Sequence, residues 1–84
     1  MTPWYLYIIR CQDNSLYVGI TPDVSARLIK HNQGKGAYYT KTKLPVKLVY
    51  TEKLLNKSVA LRREIQIKKW RKNKKEELIR GNLS

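Results

Sequence analysis

Eighty-four residues make a single domain with a modest core, so most large apolar side chains are committed to packing. The chain sets 18 Lys and Arg against 6 Asp and Glu, a formal net charge of +12, and its 42% hydrophobic content suits a globular fold rather than a disordered one. One cysteine, Cys11, excludes an intrachain disulfide and a multi-cysteine zinc site, and the longest apolar run, Trp4 to Ile9, is too short to cross a bilayer.

Residues 4–11 and 15–20 read as two strands rich in Tyr, Ile, Val and Leu, with turn chemistry at Asp13-Asn14-Ser15 between them. Both parities of the first strand are apolar: Trp4, Leu6 and Ile8 on one side, Tyr5, Tyr7 and Ile9 on the other. Such a strand needs cover on both faces, which predicts a central sheet layer. Thr21-Pro22-Asp23 predicts a helix start, with Thr21 as cap, running to about Asn32 before the Gly34-Lys35-Gly36 loop. Val46 to Leu54 alternates as a third strand. Asn56 or Ser58 caps a long helix to about Arg71, and Asn73, followed by Glu76, starts a last helix closed by Gly81. The order is ββαβαα, an α+β domain with a small sheet.

The hairpin decides whether Tyr7 and Tyr17 meet. A two-residue loop at Asp13-Asn14 puts them on opposite faces; a three-residue loop, Asp13 to Ser15, makes Cys11 face Tyr17 and puts both tyrosines on one face. Both registers fit the residues. Arg27 and His31, four apart, stack on one side of the first helix, with His31 bordering the apolar stripe of Val24 and Leu28. Taken alone, the pair reads first as Arg and His snorkelling at a core edge. On the long helix, Glu64 falls inside the arc of Val59, Ala60, Leu61, Ile65, Ile67 and Trp70. A carboxylate on a packed side is ion-paired, hydrogen-bonded or metal-bound, and Arg27 is the natural ion-pair candidate. Residues 57–80 hold ten of the basic side chains (Lys57, Arg62, Arg63, Lys68, Lys69, Arg71, Lys72, Lys74, Lys75, Arg80) and three acids, a density that attracts a polyanion. Two tyrosines, an arginine, a histidine, a carboxylate and a basic surface are parts for phosphodiester hydrolysis.

With these residues in place the sequence resembles the GIY-YIG endonuclease superfamily, in its small stand-alone bacterial form. The first motif reads Tyr5-Leu6-Tyr7 and the second, ten residues on, Tyr17-Val18-Gly19; Arg27 lies eight past the motif glycine, His31 sits in "RLIKHN" and Glu64 in "LRREIQIKKW". The resemblance covers nearly all of residues 1–84. It implies a three-stranded antiparallel sheet between helices, with both motif tyrosines on one face, and so selects the three-residue hairpin loop. It also implies that Tyr7 orients or deprotonates the attacking water with help from His31, that Tyr17 bonds the scissile phosphate, that Arg27 stabilises developing charge and that Glu64 ligates one Mg²⁺ or Mn²⁺. Gly19 would let backbone approach closely. The first motif departs from the pattern at Tyr5 and Leu6, and the family's asparagine after the glutamate has only Asn73 as a counterpart, which capping explains as well; Asn73 is left out of the site.

The expected function is thus metal-dependent cleavage of DNA phosphodiester bonds, on structured or single-stranded DNA in repair or recombination. Lys68, Lys69, Lys72, Lys74 and Lys75 would bind the backbone. The expected partner is nucleic acid, DNA before RNA, with no membrane; the chain is expected to be a cytoplasmic monomer. The alternative is an adaptor that keeps the fold and binds nucleic acid within a larger protein complex, with little or no turnover. Tyr5, Tyr38, Tyr39 and Tyr50 read as core or surface aromatics, with base stacking a minor option for Tyr38-Tyr39.

Overall fold

A computed structural model describes residues 2–82. Strands β1 (Trp4–Arg10), β2 (Leu16–Thr21) and β3 (Lys47–Leu54) form an antiparallel sheet in the order β2-β1-β3. Helices α1 (Val24–Asn32) and α2 (Tyr38–Lys41) lie between β2 and β3, and α3 (Lys57–Lys68) and α4 (Lys72–Ile79) follow. The α+β architecture is the expected one, with the central place of β1 explained by its two apolar faces. Leu6, Ile8 and Val18 pack with Ile67 of α3 and Leu78 of α4, whereas Tyr7, Ile9, Cys11 and Val46 form a second core with Val24 and Leu28 of α1. Among the described residues no helix is long and apolar enough to cross a membrane.

The hairpin has a three-residue loop, but one residue earlier than expected. Cys11 N–H donates to Ser15 O, Asn14 N–H donates to Cys11 O, and Asn14 adopts φ 72°, so the loop is Gln12 to Asn14. Asp13 Oδ1 accepts from the backbone and hydroxyl of Ser15, which draws Ser15 into the pairing. Cys11 therefore faces Ser15 rather than Tyr17, and Tyr17 faces Ile9. Parity is unchanged by this shift, so Tyr7 and Tyr17 still share a face.

Three helix starts or ends also differ. The cap of α1 is Asp23, whose side chain accepts from Ala26 N–H, while Thr21 ends β2 and its hydroxyl accepts from Asp23 N–H. Helix α3 is capped by Asn56 and stops at Lys68, where Trp70 turns in against the first core. Helix α4 starts after Arg71, so Asn73 lies inside it and its Oδ1 meets only the adjacent Lys74 N–H. Gly81 closes α4 at φ 84°, as expected. The one-turn helix α2 has no counterpart in the expected order ββαβαα; four residues without a side-chain cap carry no periodic signal.

Candidate active site

Tyr7 projects from the middle of β1 beneath α1. Its cross-strand partner is Gly19, where a Cβ would stand 2.5 Å from the Tyr7 hydroxyl, so the motif glycine vacates the space that the ring fills. His31 does not border the core as the helical wheel suggested; it is buried at 1% exposure, because α2 and the Gly34–Gly36 loop close over it. Gly36 packs against that ring so closely that a Cβ would collide with Nδ1. Tyr7 Oη lies 2.9 Å from His31 Nε2, and His31 Nδ1 lies 2.8 Å from Thr40 Oγ1, which in turn donates to Ala37 O at 3.0 Å.

Around this chain of hydrogen bonds the rings cluster. Tyr17 stands with its centroid 6.4 Å from that of Tyr7 and 5.4 Å from that of His31, and Tyr39 of α2 stacks on Tyr17 at 6.1 Å. Burial holds the Tyr7 phenol well above its usual range, with the neighbouring Tyr17 and Glu64 adding and Arg27 opposing. Burial pushes the His31 imidazole down, and the Arg27 charge pushes the same way. Left alone, Tyr7 stays protonated and His31 stays neutral.

Arg27 is half-buried on α1 and, among the described residues, pairs with no carboxylate. The expected alternative of an Arg27–Glu64 salt bridge does not form. Glu64, with its side chain 14% exposed, pairs instead with Lys68 at 3.3 Å, one turn on in α3. Its charge is nevertheless felt at Tyr7, because β2 is an edge strand and side chains of α3 reach past it: Lys68 Nζ lies 5.8 Å from the Tyr17 ring. Tyr7, Tyr17, Arg27, His31 and Glu64 thus come to one region.

The basic residues divide. Lys69 and Lys72 are exposed, Lys74 lies over the Trp70 ring at 4.4 Å, and Lys68 and Lys75 line a groove with Leu16, Tyr17, Val18 and Tyr39. That groove, about 320 Å³, is no larger than one of about 360 Å³ between Tyr5 and the start of α1. Its aromatic and cationic lining sets it apart, not its volume. Thr40 and Gly36 are the neighbours that sequence reasoning missed, and Tyr39, read as a core or surface aromatic, stacks on Tyr17. They sit on a loop and a four-residue helix, where no pattern announces which side chain turns inward.

The GIY-YIG catalytic domain matches residues 3–77 of the chain. The UPF0213 protein SH2523 of Staphylococcus haemolyticus is 52% identical over 79 residues, covering 94% of this chain and 96% of that protein. The UPF0213 protein SERP0126 of Staphylococcus epidermidis is 51% identical with the same coverage. Among solved structures, the solution structure of the UPF0213 protein BH0048 from Bacillus halodurans superposes with a TM-score of 0.59 at 43% identity, over 92% of this chain and 82% of that one. That of EF2693 from E. faecalis gives 0.66 at 36% identity, over 96% and 86%. A domain match over nearly the whole chain, relatives of about its own length and two solved structures of the same fold give one conclusion: the chain belongs to the GIY-YIG family, a nuclease-type family, alongside the UPF0213 proteins.

Proposed function

We propose that this domain is a metal-dependent endonuclease that hydrolyses DNA phosphodiester bonds. The observation that carries the reading is the buried Tyr7–His31 hydrogen bond set against Tyr17. A phenol hydrogen-bonded to a neutral imidazole can take a proton from water while passing its own to the ring, so no lone tyrosinate forms and the one new charge in the core is the imidazolium. Arg27 supplies the cation for charge developing on phosphorus, and Tyr17 supplies a hydroxyl for a phosphate oxygen. The groove beside Tyr17, with Tyr39, Lys68 and Lys75, suits a nucleotide next to the scissile phosphate, which favours structured or single-stranded DNA over a regular duplex.

The donor set accommodates Mg²⁺ or Mn²⁺ in one way. Among the described residues no three His, Cys, Asp or Glu side chains converge, so Glu64 would hold the ion through one carboxylate, the remainder coming from water and substrate phosphate. When bound, such an ion lends Lewis acidity to the phosphate. A nicking assay on supercoiled, single-stranded and branched DNA, with Mg²⁺, Mn²⁺ or EDTA, tests the proposal. Glu64→Ala is expected to lose cleavage by roughly 10³-fold, the effect of several kcal/mol at the transition state. Unchanged cleavage in that variant defeats it. The Lys68–Glu64 pair favours a second reading, a binding adaptor without turnover. Tight, salt-sensitive binding with no cleavage by the parent on any substrate would establish that one instead.

A further inference from the structure

We infer that Thr40 is a positioning residue: its hydroxyl holds His31 in the Nδ1–H form, leaving Nε2 as the acceptor for the Tyr7 proton. The relay it serves rests on the nuclease reading above; the tautomer itself does not. A neutral imidazole donates through one nitrogen and accepts through the other, and both His31 nitrogens are bonded, to Tyr7 Oη at 2.9 Å and to Thr40 Oγ1 at 2.8 Å. Ala37 O, 3.0 Å from Thr40 Oγ1, can only accept, and we assign the one hydroxyl hydrogen of Thr40 to it. Its oxygen is then an acceptor, so Nδ1 carries the ring proton. Nε2 is left with its lone pair, and Tyr7 donates to it. The reverse order would strand the Tyr7 hydrogen, since Tyr7 is 3% exposed and makes no other side-chain hydrogen bond among the described residues.

The surroundings fix this arrangement. Thr40 is fully buried and is the one buried residue of α2. Gly36 lies so close to the Nδ1 edge of the ring that any side chain there would displace it. In the reaction, a water hydrogen passes to Tyr7 Oη as the phenolic hydrogen passes to His31 Nε2. The water oxygen bonds to phosphorus, the ester P–O bond breaks, and the leaving oxygen takes a proton from solvent. His31 later returns its extra proton to solvent, and Nδ1 keeps its own throughout. Without Thr40, the ring is free to take the Nε2–H form, which donates to Tyr7 and blocks the transfer.

The chain has one histidine, so its ring nitrogens are identified without ambiguity by long-range ¹H–¹⁵N correlation spectroscopy. The free protein is expected to show protonated Nδ1 and unprotonated Nε2. Thr40→Val, close in shape but without the hydroxyl, should add an Nε2–H population to that pattern and lower nicking several-fold. Thr40→Ser, which keeps the hydroxyl, should restore both. An Nε2–H spectrum in the parent overturns the inference, as does a Thr40→Val variant that keeps both the Nδ1–H spectrum and the parental rate. A parent with the Nδ1–H spectrum, shifted by Thr40→Val, but no cleavage of any DNA defeats the nuclease reading and upholds the assignment of Thr40.

Discussion

Two glycines shape the site by what they lack. Opposite Tyr7, a Cβ at Gly19 would lie 2.5 Å from the hydroxyl and 2.6 Å from the adjoining ring carbon. The Tyr7 ring cannot simply swing aside, because Ile9, Val24 and Leu28 pack around it and His31 holds its tip. Gly19→Ala should therefore cost about 1–3 kcal/mol, the usual effect of overpacking a core. It should also pull Tyr7 off His31. A urea melt reads the first effect; a midpoint within error of the parent would mean that the ring has room to move. The motif glycine was legible in the sequence, but as a point of close backbone approach. That it serves one particular tyrosine follows only from the register, which pairs position 7 with position 19.

At the scale of elements, what could be read depended on how local the determinant was. Strand β1 announced itself, because an apolar run on both parities has one comfortable place in a small α+β domain. The shared face of Tyr7 and Tyr17 needed only the parity of the hairpin, and parity survived a loop displaced by one residue. Thr40 was invisible, since its inward turn depends on α2 docking against α1 rather than on any pattern of its own, while Tyr39, read as a core or surface aromatic, is exposed and stacks on Tyr17. The two asparagines that bracket the later helices make the same point. Both stand where a cap could be, yet Asn56 Oδ1 accepts from Val59 N–H across the first turn of α3, whereas Asn73 reaches only its neighbour. Asn56→Ala should thus destabilise the domain by about 1 kcal/mol, and Asn73→Ala by less than about 0.5. Equal losses in a denaturant melt would mean that Asn73 caps α4 in solution.

Over the whole molecule the charge of +12 is unevenly placed. Arg10 forms a two-pronged ion pair with Glu76, both distances 2.7 Å, and so ties α4 to the end of β1; Arg63 is likewise held by Glu52 of β3. These cations stabilise the fold and are not free to meet a polyanion. Lys72, Lys74 and Lys75 have no carboxylate partner among the described residues, and Lys75 lines the Tyr17 groove. Lys47 and Lys53 of β3 are exposed too, on the far edge strand of the sheet. If nucleic acid is held by a face, the first set should matter and the second should not; if it is held by net charge alone, the two sets should count equally for each charge removed. Every phosphate that is no longer neutralised lowers the slope of log K against log salt by about 0.7 to 0.9. Replacing Lys72, Lys74 and Lys75 with alanine should thus flatten that slope by about 2, while replacing Lys47 and Lys53 should leave it unchanged. Binding to labelled single-stranded DNA, titrated across a salt series, separates the two cases. An equal fall per lysine in both variants would mean that net charge, and not a face built around α4, holds the nucleic acid.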